Sequence, residues 1–135
     1  MNTIKFEKVN YDDLHGRQQE NYNYHKLSAL LADYGFNAIR LDDDWQGADF
    51  IAQHLDGKTF LKVQLKGRLT FEKKYLGKEL WLAFPENTQW YIFPHDLVLE
   101  KILPKIQNSK DWEKGKYSFP YLTDELKTIL NSYKI

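Results

Sequence analysis

Two runs constrain this chain more than any other part of it: Gly47-Ala48-Asp49-Phe50-Ile51 and Leu61-Lys62-Val63-Gln64-Leu65-Lys66. Between them stands Asp56-Gly57, a pair that favours a hairpin turn. The runs therefore read as adjacent strands over 48–55 and 58–66. Residues two apart in a strand share a face. Gln64 and Lys66 then share one side, and Leu61, Val63 and Leu65 share the other. Pairing of the strands turns Asp49 toward the same pocket. A carboxylate between Ala48 and Phe50 in a half-buried strand needs a partner. A carboxylate, an amide oxygen and an ammonium converging at one sheet end suit a divalent metal and a phosphate.

Around this pair, helix and strand signals alternate. Over 16–34, Tyr24, Leu27, Leu30, Leu31 and Tyr34 recur at spacings of three and four. That period predicts a helix, which Gly35 stops. Glu20 lies one turn before Tyr24, near the same stripe. Residues 36–41 alternate as a strand, and 42–47, opening on three aspartates, read as a loop. The charged stretch 69–78 reads as a loop with a short strand piece, and 79–84 and 89–93 as strands joined by a turn at Pro85-Glu86-Asn87-Thr88. A helix is expected over 95–107, with Leu97, Ile102 and Ile106 apolar and Pro104 kinking or dividing it. Residues 108–118 read as irregular, and Thr123 caps a last helix over 124–133, with Leu126, Ile129 and Leu130 inward. No repeat, low-complexity segment or linker interrupts this order. The expectation is one domain over 1–135, an α/β (α+β) sandwich.

Length and composition exclude several classes. A chain of 135 residues with 42% hydrophobic residues suits one packed core. There is no cysteine, so disulfides, thiolate metal sites and thiol nucleophiles are excluded. No apolar run reaches the roughly 18 residues of a membrane span, and residues 1–8 lack the apolar core of a signal peptide. The expectation is a cytoplasmic protein with no membrane partner. Lys+Arg and Asp+Glu both number 19. Bulk attraction to nucleic acid needs a basic balance, so a strong non-specific binder is disfavoured while a local basic face is not. From Lys58 to Lys78, seven basic residues surround one acid, Glu72, whereas acids gather at Asp42-Asp43-Asp44.

In order along the chain come a helix with Glu20, Gly35-Phe36 leading into a strand, Gly47-Ala48-Asp49-Phe50-Ile51, and Val63-Gln64-Leu65-Lys66. This set resembles the PD-(D/E)XK nuclease superfamily, which includes restriction endonucleases and Holliday-junction resolvases. The likeness covers roughly residues 16–68. It implies a restriction endonuclease-like core, with a mixed central sheet of about five strands flanked by helices. It implies a metal-dependent endonuclease that hydrolyses DNA phosphodiester bonds with Mg2+ or Mn2+. Asp49 would bind the metal through its carboxylate. Gln64 occupies the second acidic position, and the Leu65 main-chain carbonyl and Glu20 would be further ligands. Lys66 would orient the attacking water or stabilise charge developing on the phosphate. Two positions depart from the pattern. Ala48 stands in place of proline, and Gln64 in place of Asp or Glu, which removes one negative charge. Branches such as the Mrr-like restriction enzymes resemble this Q-x-K form. Duplex cleavage by so small a domain implies a homodimer or a larger complex.

Each residue also has a plainer account. Gln64 and Lys66 suit the solvated face of an amphipathic strand. Lys66 would serve equally as the ion-pair partner of Asp49, and a helix glutamate is ordinarily a surface residue. The three aspartates lack calcium-loop spacing. His15, His25, His54 and His95 lack H-x-x-H or H-E-x-x-H spacing and read as structural or exposed. Trp81, Trp90, Tyr91 and Phe93 alternate within strands as core. No glycine-rich phosphate loop or nucleophile elbow appears. The alternative function is a catalytically inactive nuclease-fold module that binds nucleic acid or protein, marked by Gln64. A third is an interaction protein with a charged strand pair.

Overall fold

Helix α1 (Gly16–Ala32) is the first long element of the computed structural model, which describes residues 3–135 and, at 44 and 45, the backbone alone. Met1 and Asn2, part of the stretch read for a leader, lie outside the described residues, as do the side chains of Asp44 and Trp45. A capping box opens the helix. The His15 ring accepts the Gln18 N–H at 3.3 Å, and the Gln18 side chain accepts the His15 N–H at 3.1 Å. Leu27 and Leu31 are buried, with Tyr24 and Leu30 half-buried beside them. Tyr34 does not belong to this stripe and is 51% exposed. It follows the last helical residue, and outside the helix the 3.6-residue period no longer fixes where a side chain points.

Five strands form the main sheet: β1 (Phe36–Trp45), β2 (Ala48–His54), β3 (Phe60–Leu65), β5 (Leu80–Glu86) and β6 (Gln89–Pro94), ordered β1-β2-β3-β5-β6. The β3–β5 pair is parallel and the others antiparallel, so the sheet is mixed. A short strand β4 (Thr70–Glu72) pairs with β7 (Lys116–Ser118) as a separate ribbon. Helices α2 (His95–Ile106), α3 (Lys110–Glu113) and α4 (Asp124–Leu130) follow, and a 3-10 turn over Asn131–Tyr133 comes after α4. The architecture is α+β, a five-strand mixed sheet with helices, as the sequence predicts.

Several boundaries differ from expectation. Asp42 and Asp43 lie in β1 rather than in a loop, because Trp45 pairs with Ala48 and closes a hairpin at Gln46-Gly47. The cost appears as a register shift between Arg40 and Trp45. Pairing to β2 overrides the weak strand preference of aspartate. The span 108–118 is ordered too. Ser109 accepts the Trp112 N–H at 3.1 Å and starts α3, and Lys116–Ser118 pairs with β4. Pro104 lies inside α2, which continues to Ile106. Leu97 points outward, because the buried set His95, Val98, Leu99, Ile102 and Ile106 holds the helical spacing and Leu97 does not.

The alternation of side chains explains where the site falls. On β5 and β6, Leu80, Leu82, Phe84, Tyr91 and Phe93 enter the core with α2 and α4 residues. Ala83, Trp90 and Ile92 enter the other core, with Leu27 and Leu31 of α1. These strands are apolar on both faces. On β3 only one face follows suit: Leu61, Val63 and Leu65 join the α1 core. The other face carries Lys62 and Gln64 beside the apolar row of β5, with Lys62 opposite Leu80 and Gln64 opposite Leu82, and Lys66 follows just past the strand's end. Half-buried polar groups there require partners.

Candidate functional site

The side chains of Lys62 and Gln64 on β3, and of Lys66 just past its end, all find partners. The Lys62 ammonium donates to the Lys78 carbonyl at 2.6 Å. The Gln64 amide donates to the Leu65 carbonyl at 3.3 Å. Lys66 forms an ion pair with Glu72. The third pairing sets a carboxylate behind Lys66, on a residue that does not line the cleft beside Asp49.

Asp49 acts where β2 and β3 part. Their ladder runs from Gln53–Phe60 to Phe50–Val63. Asp49, one position beyond Phe50, accepts the Leu65 N–H on its carboxylate at 2.8 Å, two positions beyond Val63. A side chain thus replaces the backbone acceptor that a continuing ladder would supply, and the strands separate with that donor satisfied. On its other side β3 stays zipped to β5, with the Lys66 N–H on the Ala83 carbonyl at 2.9 Å.

The separation opens a cleft of about 950 Å³. Asp49, Gln64, Leu65 and Lys66 line one side of it. Arg17, Glu20 and Tyr24 of α1 line another, with Arg40, Asp42 and Asp43 of β1. The cleft thus brings all five predicted site residues together. Glu20 is exposed there, while Asp49, Gln64, Leu65 and Lys66 are half-buried. The Arg40 guanidinium lies over the Tyr24 ring, 4.7 Å from its centroid, which fixes a cation in the wall. Tyr24 in turn packs edge-on against Phe50.

Behind Lys66 lies a chain of contacts that the sequence reading missed. Glu72 is 7% exposed. Burial alone would raise its carboxyl. The Lys66 hydrogen bond and charge, with lesser help from Tyr75 and Lys74, outweigh that and hold it below the usual carboxylate range. The Glu72 N–H donates to His95 Nε2 at 3.2 Å. Nε2 therefore accepts, and the ring proton sits on Nδ1, which donates to Asp96 at 2.7 Å. His95 is fully buried, and burial pushes it down from its usual 6.5 although Asp96 pulls the other way. The sequence did carry signals for this chain. Glu72 is the one acid among seven cations from Lys58 to Lys78, and His95 directly follows the proline that closes a strand.

The donor set fits a hard divalent cation in kind. The Asp49 carboxylate, the Gln64 amide oxygen and the Leu65 carbonyl are all oxygen donors, and Glu20 adds a carboxylate to the same cleft. Among the described residues, no three Asp, Glu or His side chains cluster closely enough to hold a metal. A metal here would lean on amide and carbonyl oxygens. Among the described residues, no helix is long and apolar enough to cross a membrane.

No family model and no curated protein matches the chain. Among solved structures it is similar to Hjc of Archaeoglobus fulgidus, a Holliday junction resolvase from an archaeal hyperthermophile. The TM-score is 0.46 and the identity 20%, over 57% of this chain and 73% of that one.

Proposed function

We propose that this chain is a PD-(D/E)XK-type nuclease of the Q-x-K form that hydrolyses DNA phosphodiester bonds with Mg2+ or Mn2+. The observation that carries this is the Asp49 carboxylate bridging to the Leu65 N–H at the parting of β2 and β3, with Gln64 and Lys66 beside it. Asp49, Gln64, the Leu65 carbonyl and Glu20 would hold the metal. When bound, it would supply charge neutralisation at the phosphate and a more acidic water. The protein's own part is positional. The cations Arg17 and Arg40 would receive the nucleic-acid backbone at the cleft. Lys66 would stand near the non-bridging phosphate oxygens, where negative charge grows as water oxygen bonds to phosphorus and the bond to the leaving sugar oxygen breaks. The water proton would pass to solvent, and the leaving sugar oxygen would take up a proton from solvent. Two copies would be needed to cut both strands of a duplex.

Nicking of supercoiled plasmid and of four-way junctions in Mg2+ or Mn2+ tests this. Cleavage is expected in the wild type, with a loss of at least about a hundredfold in Asp49→Ala and in Lys66→Ala. A pure preparation that cuts neither substrate sinks the proposal.

Gln64 favours one second reading, a nuclease-fold module that binds without cutting. Its amide brings no charge to a metal and donates a bond to the Leu65 carbonyl, itself one of the donors. A thermal shift with Mg2+ separates the two. Stabilisation that disappears in Asp49→Ala supports the nuclease. No shift in either protein supports the binding module.

A further inference from the structure

Lys66 lines the cleft, and its ammonium is paired rather than left to solvent. Its partner Glu72 is held from several directions. The strand that carries it is pinned to β7 through Thr70–Ser118, Phe71–Tyr117 and Glu72–Lys116. Phe71, one residue before, is fully buried and packs against Phe93 and His95. The Glu72 backbone donates to His95, His95 donates to Asp96, and Asp96 accepts the Gly77 N–H at 2.9 Å. The Glu72 carboxylate meets Lys66 and lies 3.6 Å from Lys74, whose side chain is largely exposed. A surface ion pair contributes little and needs no such frame. A frame of this kind sets where a charge stands.

The geometry points to Glu72 as the positioning residue for Lys66, holding its ammonium at the wall of the Asp49 cleft, with the His95–Asp96 pair fixing Glu72. This rests on the nuclease reading, because Lys66 must have a phosphate to meet. Glu72 itself touches no substrate. Its loss would take away the carboxylate that the ammonium meets, and a charge misplaced by about 1 Å is already costly to a reaction.

The test compares wild type, Glu72→Gln and Glu72→Asp as full chains. Three readouts are needed: single-turnover cleavage, DNA affinity with Ca2+ replacing Mg2+, and the lysine ammonium signals in 15N NMR, assigned with Lys66→Arg. In the wild type, Lys66 is expected to give an ordered, slowly exchanging ammonium signal. In Glu72→Gln that signal is lost, the cleavage rate falls about tenfold or more, and DNA affinity changes less than about twofold. Glu72→Asp recovers part of the rate. A folded Glu72→Gln that cleaves at the wild-type rate overturns the inference, as does an equal fall in rate and affinity. A disordered Lys66 ammonium in the wild type overturns it without any variant. A wild type that cleaves nothing overturns the nuclease reading and this inference with it, an outcome distinct from active Glu72→Gln.

Discussion

The two ends of the β2–β3 pair use the same parts to opposite effect. Each has a carboxylate that accepts at least one backbone N–H and a glycine with positive φ nearby, Gly47 at +87° and Gly57 at +72°. At the turn end, Asp56 accepts the Lys58 N–H at 2.7 Å and the Thr59 N–H at 2.8 Å, and the Thr59 hydroxyl at 2.7 Å. All its partners lie within three residues, and the Lys58 bond leads in holding its carboxyl far below the usual range. At the cleft end, Asp49 takes its backbone N–H from Leu65, on the neighbouring strand. A carboxylate satisfied within its own turn closes a hairpin. One satisfied across a failing ladder keeps two strands apart and lines what opens between them. The difference lies in sequence separation, and with it in how many elements must be folded before the group is satisfied.

Gly47→Ala attacks the cleft end hardest. A methyl group there would lie 2.7 Å from Leu80 Cδ1 and 3.1 Å from the Tyr75 ring, on a backbone that side chains rarely adopt. The turn is also tied down next to Gly47, since Gln46 accepts the Lys78 ammonium at 2.8 Å. Strain plus overpacking should cost about 3 kcal/mol, read as a lower urea midpoint. Because the Tyr75 ring lies 5.2 Å from the Lys66 ammonium, cleavage should fall as well. Full stability in Gly47→Ala would mean that the β1–β2 turn moves freely against its neighbours, contrary to the packing.

Acid should soften the cleft end first. His95 is depressed below 6.5 in the fold, mainly by burial, so the unfolded chain binds its proton more readily. Its contribution is complete above pH 6.5 and is lost as pH falls from there through the folded value. Glu72, held below 4.5, contributes fully above that pH and loses its share as pH falls further. Asp56 is depressed below 3.8 and responds last. Denaturant midpoints against pH, with NMR of the His95 ring and the Asp56 carboxyl, should display this order. Loss of the Asp56 turn before protonation of His95 would reverse it.

How far the sequence disclosed this arrangement follows from the same distinction between near and distant partners. Asp49, Gln64 and Lys66 could be placed on one side of a strand pair because alternation is a local rule. Glu20 could be placed on the right helix because Leu27 and Leu31 mark its inner face by period. Glu72 could not be found that way. Its proposed role needs β4 docked on β7, where Glu72 pairs with Lys116, 44 residues further along the chain, and needs His95 buried beneath it. The aspartates at 42 and 43 were misplaced for a related reason. Their composition speaks for a loop, while the Trp45–Ala48 pairing that keeps them in a strand is a property of the closed hairpin. The short elements α3 and β7 escaped notice because neither is long enough to display a period.

The smallest expected effect is at the turn end, and it bears most directly on whether the two ends are independent. A methyl group added at Gly57 meets nothing within 4 Å, so only the backbone resists it. Gly57→Ala should therefore cost about 1 kcal/mol, and Gly57→Asn less, since asparagine tolerates the left-handed region better. Neither change should alter cleavage, because the Asp56 bonds are local and the Phe50–Val63 pair lies between this turn and Asp49. Urea unfolding and single-turnover cleavage on the same two variants decide it. If Gly57→Ala slowed cleavage as Gly47→Ala is expected to, the turn would be setting the strand register, and through it the placing of Asp49 against Leu65. A one-residue slip in an antiparallel pair sends each side chain to the other face, so an intact cleft in Gly57→Ala would mean that register is held from the cleft end, by Asp49 itself and the apolar pairs beside it.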